Sequence, residues 1–123
     1  MFDKSASTRD ILQYHVRVRP GDVANYVLLP GDPARVGLIA EHLDEPREVA
    51  YHREYRTVTG SFRGIGVSAT STGIGCPSAA IAVEELCNVG ASHFIRVGSS
   101  AAFFFFIFWG YIVIYTAAMR LDG

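Results

Sequence analysis

Cysteine is scarce in this chain: Cys76 and Cys87 are the only two in 123 residues, and they form no CxxC pair. A disulfide framework is not expected, and with no basic-then-apolar leader at the start, a reduced, cytoplasmic setting is the expectation. The polar opening MFDKSASTRD reads as a loosely held arm without a targeting role. An excess of either charge is also missing, with eleven Lys and Arg against twelve Asp and Glu. No field results that would argue for nucleic acid or an anionic membrane as partner. No cluster of His, Cys and acids stands at metal-ligand spacing, so no metal is expected. The dinucleotide fingerprint is absent too: STGIG, residues 71–75, fails the GxGxxG spacing and lacks the later acid, which argues against a nicotinamide cofactor. There is neither an internal repeat nor a low-complexity linker outside one aromatic run near the end.

What remains is an ordinary globular profile, half hydrophobic with twelve glycines and five prolines, at a length that suits one small domain over residues 1–123. YVLLP (residues 26–30) is a short apolar run that passes through GDPAR into VGLIAEHL at helical spacing. That pattern predicts strand, tight loop and helix, with Asp32 as N-cap and Pro33 in the first turn, where its fixed φ is already helical. EYRTVTGSFRGIGVSATST alternates in part around Gly60 to Gly64 and predicts a hairpin. PSAAIAVEELCNVG carries Ala79, Ala80, Val83, Leu86 and Cys87 on one stripe between Pro77 and Gly90, which predicts a second helix. HFIRVGSS predicts a buried strand running into a Gly-Ser turn. The order predicts an α/β fold, a central mixed sheet, mainly parallel, with flanking helices.

Three motifs bear on chemistry. GDPAR places Gly31, a helix N-terminus and Arg35 within one turn, a suitable anion site, although a plain strand-to-helix turn with a solvated arginine has the same sequence. Arg96 in RVGSS sits near the end of an apolar strand, where desolvation calls for a ligand or a salt bridge to Glu84 or Glu85. Gly98, Ser99 and Ser100 would lie beyond that strand's carboxyl end, where open α/β sheets bind ligands. The glycines of STGIG allow a close backbone approach. His15 and His52 are single histidines, more often surface or capping groups than catalysts.

Together, VLLPGDPARVGLIAEHL, HREY, STGIGCPSAAIAVEEL and FIRVGSS resemble the nucleoside phosphorylase family of uridine phosphorylase and hexameric purine nucleoside phosphorylase. The resemblance is strong over residues 15–102 and returns at TAAMRLDG. It implies a phosphorylase/hydrolase-like fold, seen here as its N-terminal half. It implies phosphorolysis of a ribonucleoside, uridine favoured over purine nucleosides, to ribose 1-phosphate and free base. No cofactor is implied, inorganic phosphate being the co-substrate. Phosphate would sit on Gly31, Arg35, Arg96 and Ser99, with Arg53 given by a neighbouring subunit, and Arg96 would also serve catalysis. His15 would reach across the interface to the ribose 5′-hydroxyl, so the partners are nucleoside, phosphate and further copies of the chain in a dimer or hexamer. Three guanidiniums and a helix N-terminus suit a dianion beside an oxocarbenium-like sugar.

The departures from the family pattern matter as well. Family members are about twice as long, and their second half carries the ribose clamp and base recognition, so this chain alone is truncated and turnover by it is in question. Cys76 and Ala101, the first alanine of GSSAA, stand where glycine is usual, and a Cβ there is expected to strain the turn or narrow the pocket. Within AAFFFFIFWGYIVIYTAA, residues 101–118, AFFFFIFWGYIVI stands where the family it resembles has a polar loop of equal length leading to a strand, with Ile107, Gly110 and Ile114 in register. Eighteen residues with a glycine and many aromatics make a poor membrane span. The segment is expected to be an altered loop and strand, engineered or of uncertain residue identity, and its residues 103–115 suggest an alternative function: a non-catalytic scaffold that self-assembles through them.

Overall fold

The structure, a computed structural model, describes residues 11–100, 110–119 and 121. Its centre is a five-stranded sheet in the order β2-β3-β4-β1-β5. The strands are β1 (Tyr26–Leu29), β2 (Asp44–His52), β3 (Tyr55–Phe62), β4 (Ile65–Thr70) and β5 (His93–Arg96), with helices α1 (Pro33–Ala40) and α2 (Cys76–Asn88). β1 runs parallel to both β4 and β5, whereas β2, β3 and β4 pair antiparallel. The sheet is therefore evenly mixed rather than mainly parallel.

The difference comes from β2, a strand the sequence pattern did not announce. DEPREVAYH is charged and holds a proline, features that a sheet edge tolerates because one side of the strand faces solvent. β2 is such an edge, largely exposed, with register shifts between Asp44 and Arg47 and between Glu48 and Ala50. The expected hairpin is β3–β4, but its turn is Arg63–Gly64, where φ is 51° and 81° and Phe62 pairs with Ile65. Positive φ at both central residues is what a tight two-residue turn between twisted strands requires. Gly60 belongs instead to β3, where a Cβ would lie 2.9 Å from the Asp44 carbonyl oxygen.

Asp32 caps α1 by accepting from the Ala34 N–H at 2.9 Å, and Pro33 opens the helix. α1 stops at Ala40, short of the EHL that the pattern had included, as the chain turns directly into β2. α2 ends before Gly90, whose φ of 109° suits the chain reversal there. Its buried residues are Ala82 and Leu86, while Ala80 and Cys87 are exposed, so the expected stripe was rotated. The orientation follows from the sheet: Leu86 and Ala82 join Val27 and Leu29 of β1, Tyr55, Val16 and Val18 in one core. Leu28 turns to the other face, beside Val36 of α1, Val58 and Ala69. Each helix thus covers one face of the sheet.

Residues 110–119 form neither helix nor strand and are exposed, which corrects the strand expected around Ile114. The phenylalanines at 103–106 and 108 and Trp109 lie outside the described residues. Among the described residues no helix is long and apolar enough to cross a membrane, and β5 has no strand on its outer side.

The carboxyl ends of β1, β4 and β5 lie side by side. Pairing continues past them: Thr72 N–H donates to Pro30 O at 2.9 Å, Gly73 N–H to Gly31 O at 2.9 Å, and Val97 N–H to Leu29 O at 3.2 Å. Three loops distant in sequence are thereby locked at one edge.

Candidate functional site

An open cleft of about 710 Å³ lies at that edge, lined by Gly31, Asp32, Arg35, Gly73, Arg96 and Ser99, among others. Ligands of open α/β sheets bind at such strand ends. Arg35 enters from the first turn of α1, and its Nη2 lies 3.5 Å from Ser99 Oγ. Arg96 closes β5 and donates from Nη1 to Leu29 O at 2.7 Å. Its Nη2 lies 3.3 Å from the place where a Cβ on Gly31 would stand, so glycine there lets the guanidinium lie against the β1 loop. Four of the expected site residues, Gly31, Arg35, Arg96 and Ser99, therefore share one cleft.

Arg96 is exposed rather than buried, because β5 is the sheet edge. It forms no ion pair with Glu84 or Glu85; a carbonyl takes one of its five donors, and the others make no hydrogen bond among the described residues. Arg53 does not line the cleft. It is exposed in the two-residue turn between β2 and β3, with φ of 54°. His15 sits apart from the cleft lining, against Glu85 of α2 at 2.6 Å. Cys76 is the exposed first residue of α2, without the positive φ that would strain it, so the expected penalty for its Cβ falls away. The neighbouring Gly75 is the one with φ of 90°, as the N-cap of α2. The alanines of GSSAA lie outside the described residues.

Sequence reasoning missed Glu54, which lines the cleft beside Gly73. Its carboxylate lies 2.9 Å from Ser78 Oγ, whose single hydroxyl proton is shared between Glu54 and Thr72 O. Tyr55 donates to Ser78 O at 2.9 Å. Ser71 Oγ, which accepts from Arg56 N–H at 2.8 Å, donates to Glu54 O at 2.6 Å. These bonds tie the β2–β3 turn to the loop after β4. A hydrogen bond from its own backbone N–H, then the Ser78 hydroxyl, holds the Glu54 carboxyl below its ordinary value; partial burial opposes this, and the charges of Arg53 and His15 add to it.

A carboxyl depressed on folding contributes stability above its unfolded pKa and loses it as pH falls through the folded value. Glu54→Gln is therefore expected to lower stability at pH 7, with the difference from the parent shrinking below about pH 4.3. Urea unfolding at a series of pH values checks this; a difference that grows on acidification would contradict it.

Among the described residues no group of three or more His, Cys, Asp and Glu could hold a metal ion. The Phosphorylase superfamily profile matches residues 25–123. Uridine phosphorylase from Thermococcus kodakarensis is 57% identical over 94% of this chain and 42% of its own length. Guanosine phosphorylase from Halorubrum lacusprofundi is 45% identical over 90% of this chain and 46% of its own length. Among solved structures, purine nucleoside phosphorylase from Toxoplasma gondii, in complex with immucillin-H, superposes with a TM-score of 0.70 at 41% identity, over 72% of this chain and 36% of that one. The chain thus spans less than half the length of the curated relatives it matches. With a profile match covering most of the sequence and the same α/β sheet carrying the cleft, this chain belongs to the phosphorylase superfamily.

Proposed function

We propose that this chain supplies the phosphate-holding half of a nucleoside phosphorylase. The observation that carries the proposal is the convergence of Arg35, Arg96 and Ser99 with the Gly31 backbone at the ends of parallel strands. Two guanidiniums with the Ser99 hydroxyl beside them suit a phosphate dianion better than any neutral ligand, whereas the Ala34 and Arg35 amides of the first turn are already bonded to Asp32. In the reaction, a phosphate oxygen forms a bond to the anomeric carbon of a ribonucleoside as the bond from that carbon to the base nitrogen breaks. The bonding pair leaves with the base, and ribose 1-phosphate remains. Phosphate held beside the sugar stabilises the developing positive charge, and Arg96 keeps it there. Phosphate is a co-substrate, and the chemistry calls on no other cofactor.

Uridine is the favoured nucleoside, since uridine phosphorylases recur among the relatives, although the guanosine enzyme matches as well. Arg53 and His15, which the family resemblance assigns to a neighbouring subunit, lie outside the cleft lining of their own chain, which supports a working unit of at least a dimer in the cytoplasm. A second reading, the self-assembling scaffold, draws on Ile112 and Ile114, which are 92% and 86% exposed.

One experiment separates them. The purified 123-residue chain is incubated with phosphate and uridine, inosine or adenosine, and free base is followed by chromatography, with light scattering on the same sample. Release of uracil ahead of either purine is expected. Release of no base from any nucleoside, with large assemblies in solution, overturns the enzyme reading of this chain in favour of the scaffold.

A further inference from the structure

His15 stands in an irregular turn, with no helix or strand ladder to hold it, yet nearly every polar group it owns is held. Its N–H donates to Glu85 Oε1 and Oε2 at 3.1 and 3.0 Å. Its carbonyl oxygen accepts from His52 Nδ1 at 2.8 Å. Its ring Nδ1 lies 2.6 Å from Glu85 Oε1, and the Tyr14 ring meets the imidazole edge-on at 4.8 Å. Glu85 also accepts from the Val16 N–H at 2.8 Å.

Docking this segment on α2 does not require the ring. The two backbone N–H groups bound to Glu85, together with the fully buried Val16 and Val18, already fasten it to the core. The ring contact is a separate feature with a separate consequence. An ionised carboxylate can only accept, so the proton in the His15 to Glu85 bond belongs to Nδ1. The neutral ring then carries its lone pair on Nε2, which has no hydrogen-bond partner among the described residues. The ring is about one-third exposed, while the Glu85 side chain is 13% exposed. The more buried partner sets the proton.

We infer that Glu85 is a positioning residue that fixes His15 as the Nδ1–H tautomer, so that Nε2 is offered as an acceptor to a ligand hydroxyl, while His52 fixes the same residue's carbonyl. Glu85 touches no ligand itself. The ligand class is an alcohol able to donate, and its identity as a sugar hydroxyl of a nucleoside rests on the function proposed above.

The test reads the tautomer directly, from the ¹⁵N shifts of the histidine rings in labelled protein at about pH 8, where a free imidazole is neutral. In the parent, His15 is expected in the Nδ1–H form. Glu85→Gln keeps an oxygen for the backbone N–H groups but loses the charge that strengthens the ring bond. It is expected to lower the Nδ1–H to Nε2–H ratio about tenfold, while slow exchange of the Val16 amide shows that the segment stays docked. A parent in the Nε2–H form, or a ratio unchanged by Glu85→Gln, overturns the inference. The measurement needs neither nucleoside nor turnover, so an inactive chain would count against the proposed function and leave this result to stand alone.

Discussion

Arg96→Ala is expected to abolish the rise in melting temperature that phosphate gives the parent protein. A ligand that binds only the folded state stabilises it in proportion to the logarithm of its saturation, so the shift reports affinity without any need for catalysis. Arg96 places its guanidinium over the Gly31 backbone, with Nη1 already anchored on Leu29 O at 2.7 Å. The anchor aims the remaining donors into the cleft. Hydrogen bonds to a charged partner contribute about 1.5–3 kcal/mol, so their loss weakens phosphate by roughly ten- to more than a hundredfold. The fold itself should tolerate the change, because the side chain is exposed on an edge strand. Arg63→Ala, in the exposed β3–β4 turn far from the cleft lining, removes an equal charge and should keep the phosphate effect. Equal phosphate shifts in the parent and in Arg96→Ala would show that the anion, if held at all, is held elsewhere.

Gly73→Ala is expected to damage both stability and site. Gly73 has φ of 67°, a left-handed conformation that costs a residue with a Cβ about 1–2 kcal/mol. The new Cβ would stand 2.8 Å from Glu54 Cγ, 2.9 Å from Glu54 Cβ and 3.3 Å from Ser78 Oγ. Either Glu54 swings out and releases Ser78, or the loop lifts and the Gly73 N–H leaves Gly31 O. Crowding of this kind costs a further 1–3 kcal/mol, for a total of about 2–5 kcal/mol in chemical unfolding. Gly64→Ala isolates the first contribution, since Gly64 has φ of 81° and nothing within 4 Å of its Cβ position. If the two variants unfold alike, Glu54 does not brace the loop.

The parts of this fold that were legible are those governed by local rules. The GDP turn between β1 and α1 could be read because Asp32 and Pro33 answer to capping and φ alone. The α2 boundaries could be read from Pro77 and Gly90. What could not be read depends on partners distant in sequence. β2 is legible only once β3 is there to receive it, because an edge strand may be charged and may hold Pro46. The burial of Arg96 was overestimated because nothing in HFIR tells an edge strand from a central one. Glu54 escaped notice because its place in the cleft comes from the pairing that sets it against Gly73, and two charged residues in a row look like any solvated turn. The orientation of α2 was misjudged because alanine and cysteine are small enough to be found on either side. Of the site, GDPAR and RVGSS gave the chemistry, but the grouping of Gly31, Arg35, Arg96 and Ser99 came from the family resemblance.

The shared edge of three strand ends also fixes an order of events during folding. β1 is flanked by β4 and β5, and Arg96 reaches Leu29 across a sequence separation of 67 residues. Local pieces such as the β3–β4 hairpin close short loops and form early, whereas the β1–β5 pairing must wait for the longest closure in the sheet. The cleft has no precursor with partial function: until that last parallel strand is seated, Arg96 and Ser99 are not near Gly31 and Arg35. In a chain emerging from the ribosome, the cleft lining cannot assemble until residue 99 is free.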